Sequence, residues 1–164
     1  MKIRYERIHE ATQTVSVESA EEFEFVTRHS VAGFLSDAQG RILVTESINR
    51  RLLEIPGGMI DPGETPEDAL VREFDEETGL KVEVESYLGE VVSYFACNKS
   101  RPYRSLRRFY AVRGLGGRLK VDGDGTENFG SHWMYPHELD EFNTLEFVLM
   151  AIPLYFHELR CRGA

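Results

Sequence analysis

The chain has 164 residues, 41% hydrophobic and 29% charged, with a formal net charge of −9. That size suits one domain over residues 1–164 with a core of its own, and the charge argues against a nucleic-acid polymer as partner, because such binding needs a basic surface. No apolar run approaches the roughly 18–20 residues that span a bilayer, MKIRYERIHEATQ lacks the apolar stretch of a signal peptide, and the two distant cysteines, Cys97 and Cys161, read as unpaired thiols. A cytoplasmic protein with no membrane partner is the expectation.

In chain order, residues 1–22 carry no decisive pattern and are expected to add at most an extension strand. FEFVTRHSVAGFLSD (23–37) is rich in strand formers, DAQG (37–40) signals a turn, and RILVTES (41–47) reads as the returning strand. RLLEI (51–55) is a short strand stopped by Pro56 and two glycines. A helix is predicted over about 66–78: Thr65 suits the N-cap, Pro66 the first helical position, and Gly79 the stop. Asp68, three after Thr65, resembles a capping box with a shorter acid. Strands are then expected at 81–96, 105–114 and 118–121, a loop over DGDGTENFGSH (122–132), and a helical turn at PHELDEF. TLEFVLMAIPLYFHELR (144–160) reads as a final helix that Pro153 should kink or break. Strands, helix, strands, helix indicate an α+β fold with a mixed sheet between helices.

The acid is unevenly spread. Residues 57–80 hold eight acids and one base, a net of −7. Side chains three and four apart share one helix face, so Glu73, Glu76 and Glu77 project together, beside an apolar face of Leu70, Val71 and Phe74. Like charges at this spacing cost an isolated helix a few tenths of a kcal/mol each. A solvated acidic face is the plain reading; a hard divalent cation such as Mg²⁺, which prefers carboxylate oxygens, would remove the repulsion. Gly57 and Gly58, just after a strand, permit close backbone approach, including a carbonyl turned toward a metal. No Cys or His stands nearby, as a zinc site would require.

These residues resemble the Nudix box, G-x5-E-x7-R-E-U-x-E-E-x-G-U, with U a bulky apolar residue. Gly58, Glu64, Arg72-Glu73-Phe74, Glu76-Glu77 and Gly79-Leu80 fill every fixed position. The resemblance implies an α/β/α sandwich (the Nudix fold) and hydrolysis of a nucleoside diphosphate linked to another group. It implies that the Gly58 carbonyl, Glu76 and Glu77 hold Mg²⁺, with Mn²⁺ a substitute. Glu73 would be a ligand or the general base, Arg72 would hold Glu73, and Glu64 would pair with Arg72. In MutT-type members a further glutamate ligand lies six residues before a tryptophan; Glu127 and Trp133 match, with Asp122 and Asp124 as rivals.

That match points to a (deoxy)nucleoside triphosphate, oxidised forms included. A nucleotide sugar or dinucleotide such as ADP-ribose stays open, as does a non-catalytic nucleotide-sensing module. Asn143 matches a MutT-type base reader, or else serves a turn. Arg101, Arg104, Arg107 and Arg108 are candidates for phosphate, or a solvated basic face. Tyr94, Phe95, Tyr103 and Phe109 could stack on a base, or fill the core. His29, His132 and His137 read as surface residues. A monomer or homodimer acting on a small nucleotide is the expectation.

Overall fold

A computed structural model describes residues 3–7, 14–17, 26–47, 52–96, 103–122 and 128–162. Nine strands and two helices are seen among them: β1 (Ile3–Arg7), β2 (Thr14–Val17), β3 (Val26–Phe34), β4 (Ile42–Ser47), β5 (Leu53–Glu54), β6 (Gly57–Met59), α1 (Pro66–Thr78), β7 (Leu80–Ala96), β8 (Tyr103–Gly117), β9 (Asn128–Met134) and α2 (Glu146–Arg162). They form a six-stranded mixed sheet, ordered β2-β1-β7-β8-β3-β6, and a three-stranded sheet, ordered β5-β4-β9. β3 and β8 run parallel, while β7 and β8 form a long antiparallel ribbon.

Each face of the sheets carries its own core. On one face Phe34, Phe109, Phe147, Val148, Ala151 and Tyr155 pack under α2, with the Phe34 and Tyr155 rings stacked 4.7 Å apart. On the other, Val31, Leu43, Leu70, Phe74 and Val112 pack under α1. Helices thus cover both faces of a mixed sheet, the α/β/α arrangement expected.

α1 occupies the predicted span. Thr65 Oγ1 accepts from the Asp68 N–H at 3.1 Å and donates to the Asp68 carboxylate at 2.7 Å. Gly79 ends the helix at φ +72°, a left-handed conformation that glycine adopts without a Cβ penalty. Leu70 and Phe74 are fully buried, but Val71 lies on the exposed side, so the apolar stripe is narrower than expected.

Five expectations need correction. Within residues 1–22 there are two strands, β1 and β2, paired antiparallel, rather than one. Residues 118–121 form no strand; β8 itself continues to Gly117. The supposed loop at 122–132 contains the start of β9, which pairs antiparallel with β4 and sets Trp133 opposite Leu43. The strand before Pro56 stops as expected, at Glu54, but the two glycines after it are no break, because Gly57–Met59 pair with β3 as β6. Pro153 does not break α2, which begins at Glu146 rather than 144 and runs through it. Its helix is held by Phe147, Val148, Ala151 and Tyr155, whose burial outweighs one missing backbone donor. Among the described residues no helix is long and apolar enough to cross a membrane.

Candidate active site

β5, β6 and α1 meet at one end of the sheet. Glu54 closes β5, Ile55 and Pro56 turn the chain, and β6 presents Gly57 and Gly58 to the side of α1. The Ala32↔Gly57 and Val31↔Gly58 register against β3 fixes this segment. α1 then lays Arg72, Glu73, Glu76 and Glu77 along its flank.

Arg72 organises the outer half. Its Nε and Nη2 donate to the two oxygens of Glu64 at 2.9 and 3.0 Å. Its Nη1 donates to Glu73 at 2.9 Å and to Glu76 at 3.1 Å, and Nη2 reaches the Met59 carbonyl at 3.0 Å. These bonds match the five N–H donors of a guanidinium. The forked contact holds the Glu64 carboxyl below the ordinary glutamate range and raises the proton affinity of Arg72 itself. Arg72 and Glu64 therefore brace loop and helix, as the sequence suggested.

Glu73 is the enclosed acid. Its side chain is 12% exposed against 60% for Glu76. Its carboxylate rests on the Cα of Gly58: a Cβ there would lie 2.6 Å from Oε2 and closer to Oε1. Glu77, five residues beyond Arg72, lies past the i+4 reach and turns inward instead. Its Oε2 accepts the Gly57 N–H at 2.9 Å. Burial pushes the Glu77 carboxyl well above the ordinary glutamate value; the Glu54 charge adds to this, the Gly57 N–H opposes it, the Glu73 charge adds again, and Arg107 opposes it.

Two of these neighbours fall outside the sequence candidates for catalysis and metal. Glu54 lies 4.0 Å from Arg107 Nη1. Arg107 stood among the candidates for phosphate or a solvated basic face, yet its side chain is 15% exposed, far from a solvated face. The signal was strand alternation: Arg107 shares its face with Phe109 and Ala111, both buried.

The donor set suits a hard cation. It offers carboxylates and a glycine carbonyl without thiol or imidazole, and the inward acid is destabilised by its like-charged neighbours, which a divalent ion would relieve. Among the described residues no three such side chains are already gathered at metal-holding spacing. The expected Glu73, Glu76 and Glu77 trio is divided, two on Arg72 and one on Gly57.

The remaining candidates stand apart. Trp133, matched above and a candidate for substrate, is partly buried and packs against the core under α1. The Asn143 amide is spent on its own loop, Oδ1 accepting from the Asp140 N–H at 3.0 Å and Nδ2 donating to the Glu138 carbonyl at 2.8 Å. Arg104 is exposed and reaches Thr27 Oγ1 at 3.5 Å. Arg108 pairs with Glu90 at 3.6 Å. Phe109 is core, Tyr103 lies under the Arg28 guanidinium, and His29, His132 and His137 are exposed. Asp122 is exposed in a turn, and Cys161 is an exposed free thiol. Arg101, Glu127, Asp124 and Cys97 lie outside the described residues, as does the side chain of Phe95.

A glycine-bedded glutamate, an arginine fan and an inward acid on one strand–loop–helix unit agree with a family match: the NUDIX domain aligns with residues 26–151. The chain belongs to the NUDIX domain family. This Nudix chain is 32% identical over 112 residues to a MutT-like protein of Streptomyces ambofaciens, covering 68% of this chain and 66% of that one. It is also 32% identical over 109 residues to a Bacillus subtilis (strain 168) protein provisionally named an 8-oxo-dGTP diphosphatase, covering 66% of each. The alignments thus span about two thirds of these relatives' own length. The crystal structure of a MutT NUDIX hydrolase from Burkholderia pseudomallei superposes with a TM-score of 0.68 at 21% identity, covering 79% of this chain and 98% of that one. At that identity the likeness establishes the Nudix fold.

Proposed function

We propose that this Nudix chain is a pyrophosphohydrolase dependent on Mg²⁺, or Mn²⁺ in its place. Its substrate would be a (deoxy)nucleoside triphosphate, oxidised forms included. It would act as one domain in the cytoplasm, as monomer or homodimer. The observation that carries the reading is the bedding of Glu73 on Gly58 while Arg72 holds it at 2.9 Å. A structural ion pair needs no glycine beneath it; a carboxylate that must stay in one place does. The match to MutT-like and 8-oxo-dGTP-directed relatives supports the substrate class.

In this reading Glu73, Glu76, Glu77 and the Gly58 carbonyl hold the metal, with Glu127 a further candidate. Once bound, a divalent cation offsets phosphate charge and acidifies a water. Glu73 accepts the proton of the attacking water, since it is enclosed and oriented by Arg72. Arg72 is kept from swinging toward substrate by Glu64, which occupies two of its donors. Attack in line on one phosphorus then yields two phosphorylated fragments.

The test is a panel of dGTP, 8-oxo-dGTP, ADP-ribose and a UDP-sugar with Mg²⁺ or Mn²⁺, following phosphate and pyrophosphate release. Turnover of the triphosphates, with the oxidised form preferred or equal, is expected. Turnover confined to ADP-ribose or the UDP-sugar would overturn the substrate class. Saturable binding of these nucleotides with no turnover would overturn the hydrolase reading in favour of a sensor.

A further inference from the structure

Arg107 sits where a cation is costly. Strand alternation turns it to the α2 face of β8, in line with the fully buried Phe109. Burying a guanidinium is unfavourable unless it is paired, and a well-packed apolar replacement is often as stable. Three other elements nevertheless hold it. Nε donates to Ser30 Oγ of β3 at 3.1 Å, and that hydroxyl lies 3.3 Å from Ser105 Oγ of β8. The guanidinium carbon stands 3.8 Å from the ring centroid of Phe147 in α2. Nη1 lies 4.0 Å from the Glu54 carboxylate of β5. A packing role alone would explain the Phe147 contact and leave the charge unexplained. What only a cation supplies is compensation for the Glu54 carboxylate. Arg72 does not serve it: its donors are taken by Glu64, Glu73, Glu76 and Met59.

We infer that Arg107 is a positioning residue of the acidic site, facing Glu54 and offsetting the site's negative charge so as to limit its affinity for a divalent cation. The inference rests on the metal-dependent reading above, and on the hydrolase reading only for its turnover arm. The cation that faces Glu54 is itself fixed, by an aromatic face on one side and a hydroxyl pair on the other. Removing the charge leaves the carboxylates less compensated, so a divalent ion gains attraction, while the orientation of Glu54 is lost.

The experiment measures Mn²⁺ binding to the purified full chain by electron paramagnetic resonance, alongside kcat and KM on the best substrate of the panel. Arg107→Met keeps much of the side-chain volume and removes the charge. Expected is Mn²⁺ affinity about 3- to 10-fold tighter, with kcat about 30-fold lower and KM within about threefold of the parent. Arg107→Lys keeps the charge but not the fork: Mn²⁺ affinity within about twofold and kcat roughly 3- to 10-fold lower are expected. Arg113→Met makes the same charge change on an arginine that pairs with Glu83 and with Glu85, and should leave Mn²⁺ affinity within about twofold. Weaker Mn²⁺ binding together with lower kcat in Arg107→Met would make Arg107 a scaffold brace and overturn the inference. So would no change in either, or an equal rise in affinity in Arg113→Met. If Arg107→Met does not fold, parental kcat in Arg107→Lys overturns the positioning role. If the parent turns over no substrate, the hydrolase reading fails alone and the Mn²⁺ comparison still decides the inference.

Discussion

Gly58→Ala separates the fold from the chemistry. The new Cβ would stand 2.6 Å from Glu73 Oε2 and nearer to Oε1. An ordinary carbon–oxygen contact is about 3.3 Å, so the carboxylate must retreat by about 0.7 Å or more. It can, because it is the far end of a flexible side chain, held there by Arg72. The cost is a strained rotamer, about 0.5–1.5 kcal/mol, and a weakened Arg72 contact, about 1 kcal/mol. Stiffening the unfolded chain returns about 0.5 kcal/mol. A net loss of about 1–2 kcal/mol lowers Tm by roughly 2–8 °C at this chain length. Turnover suffers more, because displacement on the order of 1 Å costs about 100-fold. Gly57→Ala is the contrast: its Cβ would meet the Ala32 Cα at 2.6 Å and the Val31 carbonyl closer still. Those are backbone atoms of β3, so β6 must peel away, at about 3 kcal/mol or more. Thermal denaturation and kcat at saturating Mg²⁺ check both variants. The reasoning fails if Gly58→Ala keeps turnover within about threefold of the parent, or if it is less stable than Gly57→Ala.

Three further outcomes are expected. Arg72→Lys cannot reproduce the fork on Glu64, and urea unfolding should show a loss of about 1–3 kcal/mol with kcat down by about tenfold or more; an unchanged midpoint would remove the brace from the account. Glu77→Gln should abolish most turnover yet stabilise the metal-free fold at neutral pH. The Glu77 pKa is raised in the fold above its ordinary 4.5, so its contribution is fully present below 4.5 and lost as pH rises through the folded value. The stability difference between parent and Glu77→Gln should therefore grow from pH 5 to pH 8, and a flat difference in urea midpoints refutes the assignment. Chelation should stop turnover while leaving circular dichroism unchanged, since both cores are apolar; unfolding on chelation would make the metal structural.

The box was legible because spacing alone specifies it. Thr65, Pro66 and Gly79 bracket α1, and the positions of Arg72 and Glu64 foretell their pairing. Less was visible where a segment's role depends on what lies across the sheet. Asn128–Met134 looks like a loop because of DGDG before it, and becomes a strand through pairing with β4. Pro153 looks like a break until the burial around Val148, Ala151 and Tyr155 is counted. Gly57–Met59 looks too short and too glycine-rich for a strand; β3 supplies the partner. Glu54 and Arg107 are separated by 53 positions and belong to no motif, so only the folded chain brings them to 4.0 Å.

That pairing alters how the acidic helix itself is understood. Repulsion among Glu73, Glu76 and Glu77 looked like a debt that a divalent ion alone could settle. The fold settles most of it internally. Arg72 takes Glu64, the enclosed Glu73 and Glu76, of which Glu76 remains in water. Arg107 faces Glu54 at 4.0 Å on the α2 side of β8. A site fully neutralised in this way would bind no metal, and one left bare would strain the fold. The inner half keeps the imbalance, because Glu77 remains pushed above the ordinary range despite the Gly57 N–H and Arg107. The least compensated carboxylate therefore stands beside Gly57, and it is the one whose ionisation costs the metal-free fold most.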